Sequence, residues 1–433
     1  MRTPVLARDR LERALARIKD PLGEGSRTFL TLYRETACEA ADAADCRASA
    51  GITLGPLDGV IISIKDLFDV AGEPTRAGSK ALADAPPAAT DAPIVQRLRK
   101  AGAVIVGKTN MSEFAFTGVG ANPHYGTPGN PADRACVPGG SSSGAAVAVA
   151  DDMCEIAIGT DTGGSTRIPA ALCGVVGYKP TKVRVPTEGT FPLSPTLDSI
   201  GPLARSVEAC AKADAVLAGE QPWVLEPVAL KGLRLGIPQG LPLEDLDTTV
   251  AGRFDAAISR IGRAGTRFLE LEFSVFDDMK RVQSIATIAT VEAYQIHRER
   301  LWAHGSDYDP IVRSRIETGS AVSAAEYAKM LEDRSKLVSA LNSRLADVDA
   351  LVLPTTPTVA PTIAEVSNPK GFNASNRLLL RNTAIANFFD LCAISLPMAG
   401  ARALPAGLML FARRGQDRRL FGIAASVEAL RCR

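Results

Sequence analysis

The alternation of apolar and polar positions along the chain predicts an α/β fold. A short apolar run, Val60–Ile64, is typical of a buried strand and ends at Lys65. An amphipathic stretch at 92–101 predicts a helix, and the apolar run Ala103–Val106 predicts the next strand. Residues 110–117 are predicted to begin another helix. This succession of strands and helices indicates an α/β fold.

Similar patterns recur along most of the chain. Helical spacing is present in residues 5–50, 144–149, 167–172, 207–218, 247–263 and 324–347. Short apolar runs at 155–159, 350–354, 394–397 and 407–411 predict further strands. Between residues 122 and 144 the chain is rich in Gly, Pro, Asn and Ser, a composition typical of loops that carry function. No repeat, low-complexity tract or linker interrupts the pattern, so we expect one domain.

Composition narrows the classes of protein. The chain has 433 residues, of which 46% are hydrophobic and 22% charged, as in ordinary soluble proteins. Its formal net charge of +1 gives no electrostatic reason to expect nucleic acid or a membrane as partner. No apolar stretch has the length of a signal peptide or a membrane span, so we expect a cytoplasmic protein. The eight cysteines form no CxxC pair, and reduced, mostly buried thiols are expected.

The three histidines do not suggest a catalytic triad. His297 and His304 lie in a charged helical stretch, where a solvated helix face is the simplest interpretation. His124 lies in the loop ANPHYG, where a hydrogen-bonding role is expected. The sequence contains neither a GxSxG elbow nor an HExxH motif, so we expect no Ser-His-Asp triad, no metal and no cofactor.

One segment matches the pattern of a nucleotide-binding motif but is not expected to bind a nucleotide. Gly102–Thr109 has the sequence GAVIVGKT and satisfies the P-loop pattern GxxxxGK[ST]. A phosphate-binding loop must turn so that successive N–H groups point inward. The central residues here are Ala-Val-Ile-Val, which favour an extended strand. We therefore expect Lys108 to belong to a core strand and to bind no nucleotide.

The most informative segment is 138–169, PGGSSSGAAVAVADDMCEIAIGTDTGGSTRIP. Two Gly-Gly-Ser elements lie 24 residues apart, ending at Ser141 and Ser165. A serine hydroxyl is a weak nucleophile that needs a base. A lysine can be that base when burial lowers its pKa. Lys65 closes an apolar strand and meets that condition, although a strand-end lysine paired with Asp66 is the ordinary alternative.

The motifs LDGVIISIKDLF, GKTNMSEF, PGGSSSG and GTDTGGSTRIPAALCGVVGYKPT occur in this order. Together they closely resemble the amidase signature family. The resemblance extends over residues 54–205 and returns at LVLPTTPTVAP (351–361) and AISLP (393–397). It implies a single α/β domain with a twisted mixed β-sheet sandwiched between α-helices. On this basis we expect an N-terminal helical segment (1–50), a signature core (54–205), a variable, substrate-shaping segment (207–350) and a C-terminal part of the core (351–433).

The resemblance also assigns roles to individual residues. Lys65 matches the catalytic lysine of the family, Ser141 its bridging serine on a cis peptide, and Ser165 its nucleophile. The matching oxyanion hole uses backbone N–H groups of the turn Thr162, Gly163 and Gly164.

Three neighbouring residues are expected to support this apparatus. Asp161 and Arg167 match a buried pair that holds the turn, and a structural salt bridge describes them almost equally well. Ser142 is expected to bond Ser141 or Lys65, with loop stabilisation as the alternative. The resemblance implies an amidase that cleaves a non-peptide C–N bond of a small-molecule amide, and a homodimer as the family-level assembly.

Three alternative functions can be weighed from the sequence. Glutamyl-tRNA amidotransferase contains a glutamine-hydrolysing chain that shares these motifs but uses an acidic residue to bind the glutamine amine. The position that matches by count is Leu380, and no acid occurs between Phe372 and Phe389. A silent scaffold on the same fold is disfavoured because Lys65, Ser141 and Ser165 are all present. A P-loop hydrolase depends on GAVIVGKT alone.

The substrate cannot be read from these motifs. The acyl pocket is expected to include Met111, the loop 116–126, residues near Phe191 and part of 207–350. Aliphatic, aryl and urea-derived amides all remain open.

Overall fold

The computed structural model describes residues 5–398, 400 and 403–430, which form one large mixed sheet with helices on both faces. The strands are β1 (Phe29–Leu32), β2 (Ile61–Lys65), β3 (Val104–Thr109), β4 (Ile156–Asp161), β5 (Val176–Lys179), β6 (Ser199–Ala204), β7 (Arg234–Pro238), β8 (Arg267–Leu271), β9 (Ala350–Pro354), β10 (Cys392–Pro397) and β11 (Gly407–Ala412). The helices are α1 (Ala7–Lys19), α2 (Gly25–Thr28), α3 (Arg34–Ser49), α4 (Pro93–Lys100), α5 (Ser143–Ala150), α6 (Arg167–Cys173), α7 (Val207–Ala218), α8 (Thr248–Arg263), α9 (Val275–Val282), α10 (Ile288–His304), α11 (Pro310–Glu317), α12 (Ala324–Arg344), α13 (Pro369–Phe388) and α14 (Asp417–Ala429).

The strand order brings the ends of β2 and β4 together. Within the described residues the order is β1-β3-β2-β4-β6-β5-β10-β11-β9-β7-β8. β2 is parallel to both β3 and β4, whereas β6 and β5 continue the sheet in antiparallel pairing. The carboxyl ends of parallel neighbours lie at the same edge of a sheet. Lys65 and Asp161, the last residues of β2 and β4, therefore lie at one edge.

The sheet is buried from both sides. Alternate side chains of a strand point to opposite faces, and in β2 the residues Ile62 and Ile64 pack in one core cluster and Ile61 in another. The first cluster includes side chains of α4, α7, α8 and α14, and the second includes those of α1, α3 and α5. This two-sided burial explains why the central strands are almost continuously apolar.

The predicted α/β class and the predicted mixed sheet between two layers of helices are confirmed, and several element boundaries agree closely. The helix predicted at 207–218 and the strand predicted at 350–354 have those bounds in the structure. Two expectations are wrong. Residues 5–50 are not helical throughout, because β1 lies between α2 and α3. Residues 110–117 form only a 3-10 turn, Glu113–Ala115, in which Phe114 and Ala115 adopt positive φ angles of 50° and 59° that end any helix.

Other individual expectations have mixed outcomes. Lys108 lies within β3 and is buried, so GAVIVGKT forms a strand and not a phosphate loop, as expected. His124 bonds Glu113 in a loop, as expected. The expectation for His297 is wrong: it is fully buried beside Tyr308, and burial lowers its pKa to about 3.

The described cysteines are free and mostly buried, as the sequence predicted. Seven described cysteines are free thiols, and five of them are buried; Cys432 lies outside the described residues. No described helix combines the length and the apolar character that a bilayer crossing requires.

The close approach of β6 to β5 generates a stability prediction. A Cβ added at Gly201 would lie 2.0 Å from the carbonyl oxygen of Tyr178 on the neighbouring strand. We expect Gly201→Ala to lower the free energy of unfolding by about 2–4 kcal/mol, measured by urea denaturation. Gly252→Ala is the matched control, because Gly252 lies in α8 with open space around it. That change should instead stabilise by about 0.5–1 kcal/mol; equal effects of the two would contradict this packing.

Candidate active site

Lys65 is a wholly buried lysine at the carboxyl end of β2. Its Nζ lies 2.7 Å from Ser141 Oγ and 2.8 Å from Thr160 Oγ1. Burial lowers the pKa of Lys65 to about 7, because desolvation of the amine outweighs the opposing charges of Asp198 and Asp161. A large share of Lys65 is therefore uncharged near neutral pH and can accept a proton.

The alternative pairing of Lys65 with Asp66 does not occur among the described contacts. The carboxylate of Asp66 instead accepts the N–H of Gly78 at 3.1 Å. Burial raises the pKa of Asp66 to about 6. The two neighbouring residues therefore belong to separate hydrogen-bond networks.

Ser141 is held at the start of the loop that leads into α5. The Gly140–Ser141 peptide bond is cis, as the resemblance implies. The carbonyl of Ser141 accepts the N–H of Ser112 at 3.0 Å. A Cβ on Gly140 would lie 2.7 Å from both Gly120 N and Ser112 Oγ, so only glycine fits there. Backbone contacts thus fix the Ser141 hydroxyl beside Lys65.

Ser142 does not have the expected bond to Ser141 or Lys65. Its hydroxyl donates to the carbonyl of Thr160 at 3.3 Å, and its N–H donates to the carbonyl of Ser165 at 3.2 Å. The reason is its position as the residue before α5, where its side chain faces β4. Ser142 therefore ties the Ser141 loop to the turn that carries Ser165, which is the stabilising role weighed as the alternative.

Ser165 lies in the turn between β4 and α6. Gly164 has φ +139°, and a Cβ there would lie 2.2 Å from Thr383 Oγ1, so this position also requires glycine. Thr383 Oγ1 donates to the carbonyl of Gly163 at 2.6 Å. Within the described residues the N–H groups of Gly163, Gly164 and Ser165 have no hydrogen-bond acceptor. These donors are free to bind an anionic oxygen next to Ser165.

The buried ion pair of Asp161 and Arg167 holds the turn that carries Ser165. Arg167 donates to both carboxylate oxygens of Asp161, from Nε at 3.0 Å and from Nη2 at 2.8 Å, and both side chains are fully buried. Asn387 accepts from Arg167 at 2.7 Å and donates to Asp161 at 2.9 Å. Burial alone would raise the pKa of Asp161, but the charge of Arg167 and these hydrogen bonds hold it well below its usual value.

Sequence reasoning missed the residues that hold the turn from other elements. Asp198 accepts the hydroxyl of Thr162 at 2.5 Å, and its other oxygen accepts the N–H groups of Leu193 and Ser194 at 3.0 Å. Burial raises the pKa of Asp198 to about 6. Thr383 and Asn387 of α13 complete the set. These three residues lie far from Ser165 in sequence or outside any motif, so only the fold brings them to the turn. Thr160 lies within the motif GTDTGG, but its contact with Lys65 was not foreseen.

The hydroxyls of Ser141 and Ser165 are not hydrogen-bonded to each other among the described contacts. The observed chain of side-chain contacts runs from Thr160 through Lys65 to Ser141. Hydrogen bonds of catalytic groups are often longer in ligand-free proteins than in complexes with substrate.

A cavity of about 150 Å³ opens beside Ser165. Of the expected loop 116–126, only Phe116 and Thr117 line the cavity. Part of the variable segment lines it, as expected, and so does Leu193, which is close in sequence to Phe191. Met111 does not line it, because its side chain is fully buried in the core. The apolar side chains of α13, which were not expected, close one side of the cavity: Leu380, Ala384 and Phe388.

The same architecture occurs in proteins of known class. The family model described as Amidase matches residues 11–421. The 2-amino-5-chloromuconic acid deaminase of Comamonas testosteroni is 38% identical over 407 residues, which cover 91% of this chain and 86% of that protein. A chain of the glutamyl-tRNA(Gln) amidotransferase of Geobacter sulfurreducens is 36% identical over 411 residues, which cover 85% of this chain and 82% of that one.

Solved structures agree. The crystal structure of an amidase superposes with a TM-score of 0.88 at 33% sequence identity, covering 98% of this chain and 96% of that one. The chain belongs to the amidase signature family. It is an amidohydrolase, an enzyme that acts on amide C–N bonds.

The buried ion pair generates a stability prediction. We expect Arg167→Met to lower the free energy of unfolding by about 3–5 kcal/mol, because it leaves the charge of Asp161 buried without its partner. Arg205→Met is the control: Arg205 pairs with Asp152 on the surface and should contribute less than about 1 kcal/mol. Chemical denaturation of both variants measures the difference, and a stable Arg167→Met protein would contradict the supporting role of the pair.

Proposed function

We propose that this enzyme hydrolyses a carboxylic amide through an acyl-enzyme on Ser165, with Lys65 as base and Ser141 as proton relay. The observation that carries the proposal is the buried Lys65 amine, whose pKa burial lowers to about 7, at 2.7 Å from Ser141 Oγ. A lysine in this state can take a proton from a hydroxyl, which an exposed lysine at neutral pH cannot.

The proposed reaction proceeds in two halves. Neutral Lys65 accepts the proton of Ser141, Ser141 accepts that of Ser165, and Ser165 Oγ attacks the amide carbon. The oxyanion is bound by the N–H groups around Gly163 and Gly164, each worth about 3 kcal/mol to the transition state. The proton returns through Ser141 to the leaving nitrogen, and ammonia or an amine departs. Water then attacks the ester at Ser165 and releases the carboxylate.

The missing contact between Ser141 and Ser165 fits this scheme. Ser142 ties the two loops together through backbone and side-chain bonds, and we expect the hydroxyls of Ser141 and Ser165 to come into contact when substrate binds. Asp161, Arg167 and Asn387 then serve as positioning residues for the turn, since none of them reaches the reacting atoms.

The amidotransferase role is less well supported. Glutamine carries an ammonium group that needs an acidic partner, and the described side chains that line the cavity include no carboxylate. Leu380, the position that matches the acid by count, packs in the cavity wall beside Gly163. An apolar residue at that point offers nothing to an ammonium group.

The pH dependence of the reaction tests the base. Since only the neutral amine accepts a proton, kcat/KM for ammonia release from primary amides should rise about tenfold per pH unit below the pKa of about 7 and level off above it. A rate that falls with rising pH, or that requires added zinc, would contradict the role of Lys65.

Replacement of Lys65 by a residue that cannot accept a proton also tests its role as the base. Lys65→Met should lower kcat/KM at least about 10³-fold while the protein stays folded, because Ser141 loses its proton acceptor. Lys108→Met is the matched control: Lys108 is an equally buried lysine on the neighbouring strand β3, outside the proposed relay. Comparable losses in both variants, or wild-type turnover by Lys65→Met, would remove Lys65 as the base.

A further inference from the structure

The cavity beside Ser165 has mostly apolar walls, a few uncharged polar side chains and one charged group. Its walls include Phe116, Leu197, Leu380 and Phe388. Arg315 is the only charged side chain among the described residues that line it. The uncharged polar side chains Gln283, Thr287 and Asn387 also line the cavity, but none of them can neutralise a cation. A cation in a cavity whose described lining holds no opposite charge requires an explanation.

Arg315 has no hydrogen-bond acceptor or counter-ion among the described residues. It lies in α11, and its Nε is buried without a hydrogen-bond acceptor. No described carboxylate lies within 4 Å of its guanidinium group. Its neighbours on the helix do not neutralise it, because Arg313 and Glu317 pair with each other at 2.8 Å.

Arg315 packs on the ring of Phe116, and this contact leaves the N–H groups of the guanidinium free to donate. Its Cζ lies 5.1 Å from the centre of the Phe116 ring. A guanidinium group packed on an aromatic face keeps its N–H fork available for two parallel bonds to a carboxylate. Burial lowers the pKa of Arg315, as expected of a cation that has lost water without gaining a counter-ion.

The size of the cavity limits what can lie between Arg315 and Ser165. Its volume is about 150 Å³, and an apolar cavity of roughly that size holds a molecule such as benzene. An acyl part of a few carbon atoms therefore fits within it. A short acyl chain with a carboxylate at its far end would fill the walls and supply the missing counter-ion.

We propose that the substrate is a small anionic amide, the monoamide of a short dicarboxylic acid, whose free carboxylate binds Arg315 while Ser165 attacks the amide at the other end. This inference rests on the proposed acyl-enzyme function. Arg315 acts as a specificity-determining residue, and neutral or cationic amides of the same length leave its charge unpaired in the cavity.

Two matched covalent probes test this without knowledge of the substrate. One is a series of alkyl fluorophosphonates that end in a carboxylate, and the other is the same series ending in an isopropyl group of similar shape. The second-order rate of labelling of Ser165 is measured for each probe by peptide mass spectrometry. For at least one chain length the anionic probe should label wild-type protein about 100-fold faster than its neutral counterpart.

The variants separate the charge from general effects on the fold. Arg315→Met should reduce the anionic-to-neutral rate ratio to within about threefold of one, and Arg315→Lys should restore part of it. Arg313→Met, on the exposed face of the same helix, should leave the ratio unchanged. A ratio measured in one preparation does not depend on the fraction of folded protein, so misfolding cannot imitate the result.

Each outcome decides a different claim. Equal labelling of wild-type protein by both series at every chain length would overturn the anionic subsite and leave the acyl-enzyme function standing. A preference that persists in Arg315→Met would also overturn it. Failure of both series to label Ser165 would instead overturn the proposed function, and the inference with it.

Discussion

The site depends on a lysine amine that is buried with no carboxylate of the described residues in contact with it. Lys65 Nζ is surrounded by hydroxyl groups, Ser141 Oγ and Thr160 Oγ1, which can donate to the neutral amine or accept from the charged one. A direct carboxylate partner would raise the pKa of the amine and keep it protonated, so that it could not accept a proton at neutral pH. The two acids whose charges oppose this effect, Asp198 and Asp161, are engaged by other groups, and burial therefore dominates and lowers the pKa of Lys65 to about 7.

The distribution of charge around the site follows from that constraint. Arg167 and Asn387 occupy the carboxylate oxygens of Asp161, while Thr162 and two backbone N–H groups occupy those of Asp198. The same bonds hold the turn that carries Ser165 and leave its N–H groups free. One network therefore serves two purposes, because it withholds negative charge from Lys65 and orients donors toward the place where negative charge would develop.

The sequence predicted the elements that carry local signals. Lys65 at the end of an apolar strand and the two Gly-Gly-Ser turns were recognisable because each depends on a short run of residues with a defined pattern. The contacts of Asp198, Thr383 and Arg315 were not, since these residues act across elements that only the sheet order brings together. Ser142 was misassigned because sequence adjacency does not tell which neighbour a short hydroxyl reaches.

The same limit explains the errors in secondary structure. Residues 110–117 have helical composition, but the N–H of Ser112 bonds the carbonyl of Ser141, and this tertiary contact accompanies the positive φ angles of Phe114 and Ala115. His297 lies among charged residues in sequence, yet α10 turns it into an aromatic cluster with Phe114 and Tyr308. Helix periodicity there is weak, so the buried face was not visible from the pattern.

The central claim is that Ser165, activated through Ser141 by Lys65, is the nucleophile. The most direct measurement is to treat the protein with a neutral fluorophosphonate and locate the adduct by peptide mass spectrometry, in wild-type protein and in Lys65→Met. We expect a single adduct on Ser165 that forms rapidly in the wild type and not in the variant. An adduct on Ser141, or labelling of Ser165 at the same rate without Lys65, would contradict it.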